Sequence, residues 1–170
     1  MHHVNLNRFN EEIMKNTVIV LMMVFFVVAC SSKKAVTEEK TAPTVQYRDD
    51  FRAVSEAGKK KFLTEMKATG ETASVLILTK GFKGEDVAIA NEKKALYKGN
   101  PISHLETGIA GYITIDNTLT TRITDKLSKK EAVIDSENAK KHKFVYVMKD
   151  HVQQGNPYVI TYSNKLRPLK

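Results

Sequence analysis

Any chemistry in this 170-residue chain would come from few groups: His104, His142 and His151, the lone thiol of Cys30, six tyrosines and scattered carboxylates. None of the histidines stands in a recognised ligand spacing such as H-E-x-x-H, and catalytic zinc needs three protein ligands converging from separate loops. His2-His3 is an adjacent pair, which is not a metal-ligand spacing either. Ser103-His104 is adjacent in sequence, but a working Ser-His pair depends on spatial geometry that adjacency does not supply. There is no G-x-S-x-G elbow. Glu85-Asp86, and Glu131 with Asp135, are the background of a charged domain. Asp135-Ser136-Glu137-Asn138 resembles a calcium loop only loosely, with Lys140 where the loop's sixth-position glycine would stand. The chain is therefore expected to be non-catalytic and to hold neither metal nor cofactor.

Aromatic side chains offer binding rather than reaction. Tyr146 alternates with Phe144 and Met148, and Tyr158 and Tyr162 with Ile160, so these three tyrosines are expected in a core with their hydroxyls at its rim. Tyr97 and Tyr112, near loops, together with His104, are the candidates for contact with a ligand such as a glycan. Lysine dominates the formal charge of +8, in runs such as Lys59-Lys60-Lys61, Lys93-Lys94, Lys129-Lys130 and Lys140-Lys141. Their dispersal among acids suits solvated turns and strand edges. The sharper alternative is a hold on anionic lipid headgroups or envelope polymer. Nucleic acid is a poor partner, because no base-stacking aromatic cluster interleaves the lysines.

The elements that would position these groups come next. Residues 30–48 read as a polar, flexible tether. Residues 49–69 read as a helix, with Asp49 and Asp50 capping its first amides, Phe51, Val54, Gly58, Phe62 and Met66 on one face, and Gly70 past its end. Gly58 in mid-helix weakens that segment by about 1 kcal/mol, so it must dock its Phe and Met stripe to persist. From residue 72 to 167 short β-type runs alternate with turn signals: SVLILT, DVAIAN, ALYKG, GYITID leading into TLTTRIT, EAVID, KFVYVMK and PYVITYS. SVLILT and KFVYVMK are apolar on both faces. The spacing predicts a mainly β domain, an antiparallel β-sandwich of about seven strands, with barrel closure as the alternative. One cysteine and no tryptophan exclude the disulfide-and-tryptophan core of antibody domains, leaving a disulfide-free immunoglobulin-like or C2-like sandwich.

Ahead of all this, Thr17–Ala29 is a run of thirteen residues without a charge, behind Lys15 and directly before Cys30. About 20 apolar residues are needed to span a bilayer, whereas 7 to 15 behind a positive charge form a secretory signal. The sequence Val27-Val28-Ala29-Cys30 resembles the lipobox of bacterial lipoproteins. That resemblance covers the first 32 residues and implies diacylglycerol on Cys30, cleavage by signal peptidase II before it, and acylation of the new amino end. Met14-Lys15-Asn16 is a more compact basic start than Met1–Ile13, with its Glu11 and Glu12, so Met14 is the expected initiator. Removal of residues 1–29 leaves 141 residues and the same charge of +8. Ser31 after the cysteine resembles lipoproteins passed on to the outer membrane, which implies a domain facing the periplasm. The expected function is a membrane-anchored, non-catalytic interaction or structural module with an unknown protein partner, and a glycan-binding domain is the alternative.

Overall fold

The computed structural model describes residues 42–169. The signal segment, Met14, the lipobox, Cys30 and most of the expected tether lie outside the described residues. Among the described residues nine strands and two helices follow one another: β1 (Thr44–Tyr47), α1 (Glu56–Glu65), β2 (Ala73–Leu78), β3 (Val87–Asn91), β4 (Ala95–Gly99), β5 (Gly111–Asp116), β6 (Thr121–Asp125), β7 (Glu131–Ile134), α2 (Ser136–Lys141), β8 (Phe144–Lys149) and β9 (Tyr158–Ser163).

The strands form two sheets, one of five strands in the order β1-β9-β8-β2-β5 and one of four in the order β4-β3-β6-β7. Period-two alternation explains how they pack. Leu76, Leu78, Val145, Val147, Tyr158 and Ile160 point inward from the larger sheet and meet Val87, Ile89, Ile123, Ala132 and Ile134 of the smaller one in a common core. The alternate residues Val75, Ile77, Phe144 and Tyr146 point the other way, so β2 and β8 are buried on both faces. Their outer face is covered by Phe51, Val54, Phe62, Leu63 and Met66 of the α1 segment and by Leu166. The mainly β, two-sheet reading therefore holds, as does the docking of the Phe and Met stripe.

Two pairings depart from the antiparallel expectation. β2 runs parallel to β8, and β1 parallel to β9. Strand pairing across the sheet joins segments remote in sequence, and local alternation says nothing about its direction. Four residues assigned to the tether are β1. Thr44, Val45 and Tyr47 suit a pleated strand, and they cover the edge that β9 would otherwise expose.

The helix is shorter than 49–69. Ser55 is its N-cap and accepts from the Gly58 amide at 3.2 Å, which places Gly58 in the first turn rather than in mid-helix. Asp49 instead accepts from the Ser163 hydroxyl and the Asn164 amide, and Asp50 pairs with Arg48 at 2.9 Å. At the other end Lys67, not Gly70, takes the left-handed conformation (φ +52°). Its amide donates to Thr64 O at 3.0 Å and that of Ala68 to Leu63 O at 2.8 Å, the two bonds of a Schellman stop. Asp135, weighed with Asn138 as part of a calcium loop, is the N-cap of α2 and accepts from the Asn138 amide at 2.8 Å.

Candidate functional site

Strand directions bring four connections to one end of the sandwich. Leu78 pairs with Gly111 and with Val147, Val87 with both Gly99 and Asp125, and Lys149 with Tyr158. The β2–β3, β4–β5, β6–β7 and β8–β9 loops thus emerge side by side. Thr44, at the start of β1, pairs with Val159, so the described chain enters the domain at this same end.

Polar contacts tie the four loops to one another. Ser103 Oγ donates to Thr79 O at 2.7 Å and accepts from the Phe82 amide at 2.9 Å, joining the β4–β5 loop to the β2–β3 loop. The Lys126 amide donates to Asp86 O at 2.9 Å. A His151 ring nitrogen lies 2.6 Å from Gly81 O, and Asn156 Nδ2 donates to Glu131 O at 2.8 Å. Gln153 Nε2 reaches Thr44 Oγ1 at 2.8 Å, joining the β8–β9 loop to the entering chain.

Lys149 sits beneath these loops. Alternation along β8 turns it inward after Val145 and Val147, and it is 5 % exposed. Its ammonium donates to Glu85 Oε1 and Asp125 Oδ2, each at 2.8 Å, and stands 5.6 Å from the centre of the Tyr158 ring. Burial disfavours the charged form of Asp125. Hydrogen bonds from Lys149 and from the Ser128 and Leu127 amides outweigh it, and the carboxyl is held below its ordinary range. Glu85 is balanced the same way, by Lys149 and the Lys83 amide against burial. Burial, followed by the charges of Asp125 and Glu85, pushes the Tyr158 phenol well up, so it stays neutral. One cation between two carboxylates, each with a further partner, is a structural clamp that fixes where β3 begins and where β6 and β8 end. Sequence analysis gave Lys149 no role beyond closing the run KFVYVMK, although its inward register was available from the alternation.

Above the clamp the loop tips carry aliphatic side chains that face solvent. Leu105 is 100 % exposed, Val152 91 %, Leu127 86 % and Ile102 66 %. Lys83 and Lys129 are exposed among them, with Glu106 and Asp86 as exposed carboxylates. Asp86 lies 3.4 Å from Lys126.

No family model and no curated protein matches the chain. The site is therefore read from its own geometry. His104 lies in the β4–β5 loop, exposed, its backbone amide donating to Ile109 O at 2.9 Å. Tyr97 and Tyr112 do come together, lining one small cavity of about 160 Å³ with Leu78, Ile89, Ala110, Gly111 and Ile113. Tyr97 belongs to the inner face of β4, opposite Ile89, whereas Tyr112 belongs to the outer face of β5 and makes an edge contact with Phe62 at 5.4 Å. His104 does not line that cavity. His142 packs against the Tyr47 and Tyr162 rings at 5.5 and 5.4 Å, with Nδ1 2.8 Å from Asn138 O. It is drawn in by β1, the strand that sequence reading left in the tether.

The three core tyrosines are buried as expected. Tyr146 Oη donates to Lys165 O and accepts from the Arg167 amide, both at 2.9 Å, and burial pushes its phenol up to about 12. Tyr162 Oη reaches Asp135 at 3.3 Å, while that of Tyr158 has no hydrogen-bond partner among the described residues. Among the described residues no three His, Cys, Asp or Glu side chains gather as metal ligands, and no helix is long and apolar enough to cross a membrane.

Proposed function

We propose that the chain is the precursor of a lipoprotein, anchored through acylated Cys30 and presenting a non-catalytic interaction domain outside the cytoplasm, on the periplasmic side of an outer membrane. The observation that carries this reading is the uncharged run Thr17–Ala29, too brief to span a bilayer, abutting the only cysteine. A disulfide-free immunoglobulin-like or C2-like sandwich is the fold type that goes with it. Gathering four loops at one end, as such sandwiches do, supports an interaction role.

The glycan-binding alternative draws on the meeting of Tyr97 and Tyr112. Their cavity is otherwise walled by aliphatic side chains and backbone, which suits an apolar group better than a sugar, since sugars need several convergent polar groups. Mass spectrometry of the protein isolated from its native envelope tests the main reading. The expected species begins at Cys30 with acyl chains on sulfur and amino nitrogen. A chain that retains Thr17–Ala29, or an unmodified sulfur on Cys30, overturns it.

A further inference from the structure

We infer that the loop end of the sandwich is a lipid-contact surface, which rests against the bilayer with Ile102, Leu105, Leu127 and Val152 entering the headgroup layer. This rests on the reading that Cys30 carries the anchor.

The argument begins with what these side chains lack. Four aliphatic residues on three separate loops stand between 66 and 100 % exposed, at positions where polar turn residues would cost nothing. They are not frayed tips. The Lys83–Ile102 bridge, the Ser103 hydrogen bonds and the Lys149 clamp hold their loops in a fixed arrangement, so the apolar groups project in a set pattern from one end.

The route of the chain then selects the occupant. Thr44 lies at that end, tied to the β8–β9 loop by Gln153, and only fourteen positions in sequence separate it from Cys30. Fully extended, so few residues reach at most about 50 Å, so an anchor on Cys30 keeps this end of the domain beside the membrane. Aliphatic tips held beside a bilayer have the hydrocarbon boundary as their natural partner. Exposed Lys80, Lys83 and Lys129 outnumber Glu106, the exposed carboxylate left once Asp86 is paired with Lys126, so headgroup phosphates add to a hold that the aliphatic tips supply.

Flotation with lipid vesicles tests this directly. The protein is taken from Ser31 onward, which keeps every described residue and omits the lipid, and is mixed with vesicles of phosphatidylcholine alone or with added phosphatidylglycerol at millimolar lipid. Binding to both is expected, somewhat stronger with phosphatidylglycerol and largely retained at high salt. The triple variant Leu105→Ser, Val152→Ser, Leu127→Ser is expected to bind at least tenfold more weakly while melting at an unchanged temperature. The inference is overturned if the unsubstituted protein binds neither vesicle, if the variant binds as well, or if binding is abolished by salt. It is also overturned if the tips prove to drive association between protein copies without vesicle binding. Acylated Cys30 in the native protein together with absent vesicle binding would sink the surface and leave the lipoprotein reading standing. An unmodified Cys30 would sink that reading by itself.

Discussion

Lys149 Nζ stands 2.8 Å from Asp125 Oδ2, and both side chains are 4 % exposed. A pair so dry is stable only as a pair. Removing one member leaves the other buried without its counter-charge, and such losses are far larger than the net worth of the intact bridge.

Lys149→Met therefore lowers the unfolding free energy by about 3–5 kcal/mol, since it strands Asp125 and leaves Glu85 without its ammonium. Urea denaturation followed by circular dichroism measures this, and a loss under about 1 kcal/mol would show that water reaches the clamp.

The clamp also sets the response to acid. Asp125 and Glu85 titrate below their ordinary values in the folded protein, so near pH 4 the unfolded chain binds more protons than the native one. Their stabilisation is complete above the unfolded-state values and is lost as pH falls through the lower folded ones. Stability should decline from about pH 5 downwards. Lys149→Met removes the ammonium that lowers both carboxyls, so they titrate higher than in the unsubstituted protein, and the gap between the two proteins, wide at pH 7, narrows towards pH 3. A gap constant across that range would contradict the assignment.

Two glycines respond in opposite senses to alanine. At Gly81 the backbone has φ +91° and a Cβ would collide with the carbonyl oxygen of Lys149, so Gly81→Ala should cost about 2 kcal/mol or more. At Gly58 a Cβ would sit 3.4 Å from Ser55 Oγ, an ordinary contact, in a helical residue. Gly58→Ala should stabilise by about 0.5–1 kcal/mol. Thermal melts of the two variants check both signs.

A chain beginning at Arg48 lacks β1 and bares the outer edge of β9 along with the Tyr47 face of His142 and Tyr162. It is expected to melt lower and to self-associate in analytical ultracentrifugation, because an uncovered strand edge is a template for pairing. A monomer of unchanged melting temperature would show that β1 contributes nothing.

What the sequence revealed follows what is local. The runs at 74–79 and 143–149 announced strands buried on both faces because their apolar residues are unbroken, and Tyr158 and Tyr162 announced a core by alternating with Ile160. β1 was illegible because four suitable residues in a polar stretch become a strand only when β9 lies beside them. The helix start at Ser55 was overlooked in favour of Asp49 and Asp50, whose carboxylate partners are Asn164, Ser163 and Arg48 instead. The clamp was missed for a different reason. Its acids lie 24 and 64 residues from Lys149, so no window of sequence shows that the inward-facing lysine has counter-charges. Tyr97 and Tyr112 were singled out for their place near loops, and only the closeness of the β4 and β5 edges brings them to one cavity.

The parallel alignment of β1 with β9 has a mechanical consequence. Thr44 is the leading residue of its strand and lies at the loop end. A tug from that direction loads the hydrogen bonds of the pair in shear, all sharing the force together, instead of peeling them apart in succession. On the reading that Cys30 carries the anchor, a domain hung in this way resists being dragged open by its own leash.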